Sequence, residues 1–443
     1  MSPDRRRTTR RAFLATGALA LGSGCTGLVD TESTRPSRTN GSDRTPGGGG
    51  GSETGTDAEA ETETPDSRAV SPPYLGRYFS GGRLVDDMSD LSRWSGEGTI
   101  VADPDVRFGA SQSLRYEGRH QMVLIGDYAD DPIDLSDAAL SFASYFERPA
   151  NSQPTFTLTA YAPDDDNWVE FGYPYIANKD LRWQRFDLAP TRTKGSPDLS
   201  NVTKLVFMMY AGNHRPIRLW LDDLRAHPKP DRGKLIFRFD DSHRHHYTDY
   251  FTTLQEYGYP AVEAVVKREI GRRTRLTVPH LHEMQDAGWD LCNHTTAHQN
   301  VTEFSEAEFR ANIEEMNAFF DDIGITRGTN FLVRPYGAYD GTSITVADEH
   351  FDLAFGGSSP TNYALTNPLQ VGADDVHGDL ESAKELVDLA VEHRSLSIPL
   401  FHRFEGSKFE KLVEYVHRRE RAGELDVITA SDLWEHLQTV DRW

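Results

Sequence analysis

The feature that most constrains the fold is a series of short apolar runs that alternate with helical stretches from Lys234 onward. The runs "LIFRF", "AVEAVV", "WDLC" and "NFLV" come first, and "SLSIPLF" and "LDVIT" follow near the end. Each run precedes a longer stretch such as "EAEFRANIEEMNAFFDDIG", in which apolar residues recur at helical spacing. Repeated strand-helix units predict a parallel sheet or an α/β barrel. We therefore expect an α/β domain over residues 234–440.

The preceding residues, 74–228, have a different pattern. Short alternating or apolar runs such as "ALSFASYF" and "TFTLTAYA" are separated by Pro, Asp, Asn and Gly, which predicts an antiparallel β-sandwich. The stretches "GASQSLRYEG" and "RLWLDDLRA" resemble the jelly-roll modules often attached to polysaccharide enzymes, and this resemblance implies carbohydrate binding. Exposed Trp168, Tyr173 and Tyr175 could stack on sugar rings, although aromatic side chains are also typical of a sandwich core.

The amino-terminal residues are predicted to direct export rather than to fold. Residues 1–25 contain Arg10 and Arg11 before an apolar segment that is shorter than the roughly 20 residues needed to cross a bilayer. They resemble a twin-arginine signal, and "LGSGC" resembles a lipobox with Cys25 as the lipidated residue, although its leucine lies one position too far away. Residues 26–73 are rich in Ser, Thr, Gly and Glu, which predicts a disordered linker. We expect a cell-surface protein tethered through Cys25, or an extracellular one.

The charge balance limits the classes of partner. The chain has 69 acidic and 47 basic residues among 443, a formal net charge of −22. This charge disfavours nucleic acid and anionic membrane surfaces. The balance resembles that of exported proteins of salt-loving archaea, and an ordinary acidic secreted protein is the alternative. No heptad pattern or apolar stripe marks an interface, so the oligomeric state stays open.

Polar residues with metal-binding or acid-base capacity follow the predicted strands directly. They are Asp240 and Asp241, His294 and His298, Arg334 to Tyr336, and His402. In parallel α/β architecture the carboxyl ends of the strands share one face, so we expect these side chains to meet. One carboxylate and two imidazoles suit zinc or another borderline divalent ion. His294 and His298 can bind one ion if the backbone turns helically between them, whereas a solvated turn and an exposed helical face are the alternatives.

The stretches "FRFDD", "NHTTAH", "RPYG" and "LFH", in this order, resemble the motifs of the polysaccharide deacetylase family. This family is also called the NodB-homology family or carbohydrate esterase family four. The resemblance implies a distorted (β/α) barrel preceded by the β-sandwich. It also implies a metal-dependent hydrolase that acts on carbon-nitrogen bonds other than peptide bonds. We expect such an enzyme to remove N-acetyl groups from a hexosamine-containing polysaccharide.

The same resemblance implies a role for each strand-end residue. The metal ligands, for an ion that is usually zinc, would be Asp241, His294 and His298. Asp240 would be the general base for the attack of water on the acetyl carbonyl. The backbone N–H of Tyr336 would stabilise the oxyanion, and His402 would be the general acid that protonates the leaving nitrogen.

Two motifs depart from the family pattern. Val333 stands where the family has an arginine that orients the base, and Arg334 comes one position later. The fourth family motif, an aspartate with a tryptophan that tunes the acid, is not recognisable; Asp374 or Asp375 could replace its aspartate. Such divergence leaves other activities open. The alternatives are an esterase for O-acetyl groups on xylan-like polymers, a hydrolase for a small cyclic amide, and an inactive surface glycan-binding protein.

Overall fold

The computed structural model describes residues 76–79, 81–149, 154–172, 176, 181–356 and 362–439. All of them belong to one compact unit of the chain, Glu63–Trp443. The predicted signal with its lipid anchor, residues 1–25, and the predicted linker, residues 26–73, lie outside the described residues, as do Tyr173 and Tyr175. Within the described ranges, no helix combines the length and the apolar character that a membrane span requires.

The amino-terminal half of the described chain is antiparallel throughout. Its strands are β1 (Arg83–Asp86), β2 (Trp94–Gly96), β3 (Thr99–Asp103), β4 (Ser113–Arg119), β5 (Gln121–Asp127), β6 (Ala138–Arg148), β7 (Thr155–Tyr161), β8 (Trp168–Phe171), β9 (Gln184–Asp187), β10 (Pro190–Lys194), β11 (Lys204–Tyr210) and β12 (Pro216–Pro228). They pair in the order β10-β8-β7-β11-β5-β4-β12-β6-β9, with β1 on β12, β2 on β5 and β3 on β4.

Strands from different parts of this path share one apolar core. Leu124 and Phe207 come from β5 and β11, and Phe142 and Leu219 come from β6 and β12; all four are buried in the same cluster. The side chains alternate between core and surface along β5, as expected for strands with one buried face. The predicted antiparallel sheets are therefore confirmed, while the jelly-roll strand order stays a prediction.

The carboxyl-terminal half alternates strands with helices. Its strands are β13 (Gly233–Leu235), β14 (Arg238–Asp240), β15 (Val262–Val265), β16 (Asp290–Asn293), β17 (Phe331–Val333), β18 (Leu353–Phe355), β19 (Asp374–Asp375), β20 (Leu396–Ser397), β21 (Pro399–Phe401) and β22 (Leu425–Val427). Its helices are α1 (Thr252–Tyr257), α2 (Val278–Asp286), α3 (Glu306–Asp322), α4 (Gly341–His350), α5 (Leu380–His393), α6 (Gly406–Arg421) and α7 (Ala430–Leu437). A π-helix, His246–Phe251, leads directly into α1.

The ten strands of this half are all parallel to their neighbours. Seven form a sheet in the order β18-β17-β16-β15-β14-β21-β19, and three form a second sheet in the order β20-β13-β22. The predicted mixed α/β class is confirmed, but the arrangement is a curled half-barrel in two sheets rather than one continuous ring. The apolar runs "LIFRF" and "SLSIPLF" each contribute to both sheets, because each run is divided between two short strands.

The helices pack on this sheet through regularly spaced apolar side chains, as α3 illustrates. Ser305 caps its first turn by accepting a hydrogen bond from Glu308 N at 3.4 Å, and the Glu308 carboxylate accepts one from Ser305 N at 2.8 Å. Phe309, Ile313 and Phe320 then recur on one face and are buried.

Candidate active site

The first element of the site is the turn that follows β14. Asp241 and Ser242 have left-handed backbone angles, with φ of 80° and 56°. This conformation costs a non-glycine residue about 1–3 kcal/mol, so its surroundings must hold it in place. Ser242 N donates to Glu263 Oε1 at 3.0 Å, and Val266 N donates to Ser242 Oγ at 3.0 Å. The turn ends the strand alternation, so Asp241 can face the same site as Asp240.

Glu263 was missed by the sequence predictions, although a glutamate inside the apolar run "AVEAVV" is a signal in itself. It is fully buried on β15, and burial raises the pKa of its carboxyl well above the usual range. Its second oxygen lies 2.9 Å from His246 Nδ1. His246 is also fully buried. Glu263 therefore links His246 to the backbone of the turn at Ser242.

A second turn positions the two histidines at the end of β16. Asn293 Oδ1 accepts a hydrogen bond from Thr295 N at 2.9 Å, and Thr295 Oγ1 accepts one from Gln299 N at 2.9 Å. Thr295 and His298 both have left-handed φ angles, 63° and 54°. The helical turn that the sequence analysis required between the two histidines is therefore not present. A tight turn instead brings the ring centroids of His294 and His298 to within 4.9 Å of each other.

These turns bring the three predicted metal ligands together. Asp241 Oδ1 lies 3.6 Å from His294 Nε2 and 3.2 Å from His298 Nε2. One ligand atom from each of the three residues lies within 4.8 Å of the others. His294 is buried and its Nδ1 lies 2.7 Å from Val333 O, which leaves Nε2 to face the site. That Nε2 has no hydrogen-bond partner in the described part of the chain, so a cation would satisfy it.

The electrostatics of the cluster suit metal binding. Burial raises the pKa of Asp241, but the contact with His294 Nε2 at 3.6 Å and the charges of His294 and His298 outweigh it and hold the pKa well below its usual range. Burial, together with the charge of His294, lowers the pKa of His298. At neutral pH these effects favour an ionised carboxylate and a neutral His298 imidazole. Metal ligands require these protonation states.

Asp240 is held by an arginine that the sequence predictions missed. Arg238 Nε donates to Asp240 Oδ1 at 3.0 Å and Arg238 Nη2 donates to Asp240 Oδ2 at 2.7 Å, so the pair is bidentate. Residues two apart in a strand share a face, and this spacing in "FRFDD" is the signal that could have found the pair. Burial raises the pKa of Asp240. The charges of Arg238 and His294 and the Arg238 hydrogen bonds outweigh this effect, so the pKa lies below its usual range.

Arg238 thus makes the contact with Asp240 that the family resemblance assigns to an arginine at the position of Val333. Val333 itself is buried on β17. Arg334 is fully buried, and its guanidinium lies 5.7 Å from the centre of the Tyr339 ring. The three guanidinium nitrogens have no hydrogen-bond partner among the residues described here.

His402 lies at the end of β21 and contacts an aspartate from the neighbouring strand β19. Its Nδ1 is 3.0 Å from Asp375 Oδ2. Of the two candidate aspartates, Asp375 makes this contact; Asp374 precedes it in the strand and points to the other side. The hydrogen bond with Asp375 raises the pKa of His402, burial opposes it, and the charges of Asp240 and Asp241 raise it further.

The remaining predicted residues lie at the rim or elsewhere. Tyr336 is 68% exposed, has a left-handed φ of 61°, and its ring lies 4.7 Å from that of His298. His245 Nε2 lies 3.0 Å from His402 O. Trp168 in the antiparallel half is partly buried, and the Arg192 guanidinium lies 5.0 Å from the centre of its ring.

Comparisons with known proteins agree with the motifs. Residues 227–350 match the family model described as polysaccharide deacetylase. YxkH of Bacillus subtilis (strain 168), named as a candidate polysaccharide deacetylase, is 23% identical over 121 residues. That match covers 27% of this chain and 43% of YxkH, so the chain spans less than half the length of this curated relative.

Solved structures also resemble the chain. The Xyl-CE4 domain of a multidomain xylanase from the hindgut metagenome of Trinervitermes trinervoides is 18% identical, with 46% of this chain and 91% of that chain covered and a TM-score of 0.35. The chitin deacetylase of the fungus Colletotrichum lindemuthianum is 13% identical, with 46% and 89% covered and a TM-score of 0.36.

The segment matched by the family model contains both turns of the site. It includes the aspartate pair of β14 and the histidine pair after β16, whereas Asp375 and His402 lie beyond it. The four motifs recognised in the sequence occur in the order that the family requires. The chain therefore contains a segment, residues 227–350, that matches the polysaccharide deacetylase family, and this segment carries the aspartate pair and the histidine pair of the site.

Proposed function

We propose that this chain is a metal-dependent hydrolase that removes N-acetyl groups from a hexosamine-containing surface or extracellular polysaccharide. One observation carries the proposal, the presence of three groups in one site. They are the cluster of Asp241, His294 and His298, the Asp240 carboxylate paired with Arg238, and the His402 imidazole paired with Asp375. The first supplies a place for a cation, and the other two supply a base and an acid. Amide hydrolysis by attack of water requires all three.

Asp241, His294 and His298 would hold the divalent cation, and zinc suits this donor set. A bound divalent ion supplies a Lewis acid that polarises the acetyl carbonyl and lowers the pKa of a water molecule.

Asp240 would take the proton of the attacking water. Its Oδ2 lies 3.9 Å from His294 Nε2, so this oxygen is the one that faces the ligand cluster. Arg238 occupies one lone-pair position on each carboxylate oxygen, which leaves further acceptor capacity on both. The bidentate contact also fixes the carboxylate plane, so the free position on Oδ2 stays directed at the cluster.

His402 would protonate the departing sugar nitrogen, because an unprotonated amine is a very poor leaving group. Asp375 holds Nδ1, so Nε2 is the atom that would deliver the proton. The side chain is 40% exposed, which allows a polymer to approach it. Tyr336, at the rim beside His298, would donate its backbone N–H to the developing oxyanion, as the family resemblance implies.

The acid residue favours an amide over an ester as the bond that is cleaved. The hydrogen bond with Asp375 raises the pKa of His402, which keeps the acid protonated to higher pH. An amine leaving group depends on this proton more than the alcohol of an O-acetyl ester does. We therefore place N-acetyl polymers before xylan-like esters as substrates.

Acetate release from acetylated chitooligosaccharides and acetylated xylooligosaccharides tests the proposal. We expect release from the chitooligosaccharides that a chelator abolishes and added zinc restores. D240N and H402Q should both lose this release, whereas H214N, at an exposed histidine of the antiparallel half, should retain it. Release from the xylooligosaccharides alone would identify an esterase. Glycan retention without acetate from either would identify a binding protein.

We also propose that the protein is exported by the twin-arginine route and anchored at the cell surface through Cys25, on the basis of residues 1–25. Membrane fractionation of cells that express C25A tests the anchor. We expect the variant in the medium and the unaltered protein with the membrane; equal distribution of the two would contradict the anchor.

A further inference from the structure

We propose that the antiparallel half positions the catalytic acid, because Asp187 on β9 anchors the segment that delivers Asp375 to His402. This inference rests on the proposed function, since it concerns the acid of the same reaction. It assigns the antiparallel sheets a role in catalysis that does not depend on carbohydrate binding.

The anchor is a buried carboxylate from one half of the molecule that binds the backbone of the other half. Asp187 Oδ2 accepts hydrogen bonds from Thr366 N and Asn367 N, each at 2.9 Å. Asp187 Oδ1 accepts one from Thr366 Oγ1 at 2.7 Å. All three residues are buried. Burial raises the pKa of Asp187, and the hydrogen bonds from Thr366 and Asn367 oppose this rise. The three bonds together fix the position of Thr366 and Asn367.

Further contacts hold the same segment on two neighbouring strands, β6 and β9. Arg185 Nε donates to Thr366 Oγ1 at 3.2 Å, and Asn367 Nδ2 donates to Arg185 O at 3.1 Å. Asn362 Nδ2 donates to Leu140 O at 2.9 Å. The segment that begins at Asn362 is thus attached to the antiparallel sheet at two points.

From the anchor the chain runs to Asp375 with hydrogen bonds along its path. Ala354 N donates to Pro368 O at 2.9 Å, and Val371 N donates to Ala354 O at 3.1 Å. The chain then pairs with β21 opposite Leu400, two positions before His402. Asp375 comes only eight positions after Asn367, so a shift at the anchor has few residues over which to be absorbed.

The contact between Asp375 and His402 is sensitive to such a shift. Asp375 is the one carboxylate within hydrogen-bond distance of the His402 ring in the described structure. The other titratable groups that act on His402 are Asp240 and Asp241 at the end of β14, together with His246 and His298. The hydrogen bonds of Asp187 given above reach none of these four residues. His377, beside Asp375, lies 3.3 Å from its other oxygen and would move with it.

The test compares two buried aspartates of the antiparallel half in the full-length protein. D187A removes the anchor. D103A is the matched control, because Asp103 accepts hydrogen bonds from Trp220 Nε1 at 2.9 Å and Arg115 Nη1 at 3.1 Å, both within the antiparallel half. The measurements are the pKa of the His402 imidazole by NMR, assigned with H402Q, and the pH profile of acetate release.

D187A should lower the pKa of His402 and move the alkaline limb of the pH profile to lower pH, in the direction that D375N moves it. It should lower kcat by about tenfold while KM changes little, because misplaced catalytic groups affect mainly the chemical step. D103A should leave the pKa and the profile unchanged, even where it lowers the unfolding temperature. If D187A and D103A behave alike in both measurements, Asp187 is merely structural and the inference is wrong.

A milder variant covers the case in which D187A does not fold. T366V removes only the hydroxyl that binds Asp187 and Arg185, and it should shift the pKa of His402 in the same direction by a smaller amount. No shift in T366V would overturn the inference in that case. The NMR measurement requires no turnover. An unaltered protein that releases no acetate would therefore contradict the proposed function, while the NMR comparison still decides the role of Asp187.

Discussion

Replacement of Arg238 by methionine tests the part of the site that departs most from the family pattern. Arg238 and Asp240 form an almost completely buried ion pair, with side chains 4% exposed on each side. Two charge-assisted hydrogen bonds join them, and such bonds contribute about 1.5–3 kcal/mol each. Removal of one partner from a buried pair costs about 3–5 kcal/mol, because the remaining charge loses its compensation. We therefore expect R238M to lower the free energy of unfolding by about 3–5 kcal/mol.

Urea unfolding of the metal-free protein, followed by circular dichroism, measures this change. R244M, at an exposed arginine in the loop after β14, is the matched control and should change the free energy by less than about 0.5 kcal/mol. The double variant R238M/D240N should recover part of the loss, since an amide is less costly to bury than an unpaired carboxylate. A loss below about 1 kcal/mol in R238M, or no recovery in the double variant, would refute the reasoning.

Three further predictions concern the acid and the turn that carries the first metal ligand. Asp375→Asn removes the group that raises the pKa of His402, so the alkaline limb of the kcat/KM profile, where the acid loses its proton, should move to lower pH. His402→Gln should lower kcat on an N-acetyl substrate by about 10²–10⁴-fold and less on an O-acetyl ester, as measured by acetate release. Glu263→Leu leaves the buried Ser242 N–H without its acceptor and should weaken zinc affinity by about 10–100-fold, measured by competition with a chelating dye.

Exposed residues of the same types provide the controls. Asp321→Asn on α3 should leave the pH profile unchanged, and Glu256→Leu on α1 should leave the zinc affinity unchanged. The account of the acid fails if D375N keeps the profile of the unaltered protein. The account of the turn fails if E263L binds zinc as tightly as E256L does.

Much of the fold and of the site could be predicted from local patterns. The alternation of apolar runs and helical stretches indicates parallel strands, and polar residues directly after those runs indicate a site at the strand ends. Asp241, His294 and His298 do meet, because strand ends share one face whatever the details of the loops.

The parts that could not be predicted depend on backbone turns and on contacts between distant segments. The turn from His294 to His298 has left-handed φ angles at Thr295 and His298 and is stabilised by Asn293, which a spacing of four does not reveal. Strands β19 and β20 have two residues each, too few for any periodicity, so the half-barrel was not visible and the choice between Asp374 and Asp375 stayed open. The role of Arg238 depends on its contact with Asp240, two residues further along the strand.

The most direct test of the central claim is a zinc titration of the chelator-stripped protein with acetate release recorded at each addition. We predict that activity rises in proportion to the added zinc and reaches its maximum at one ion per chain, and that D241N binds no zinc at this site. Full activity in the stripped protein, or unchanged zinc binding by D241N, would contradict the claim that Asp241, His294 and His298 hold the catalytic ion.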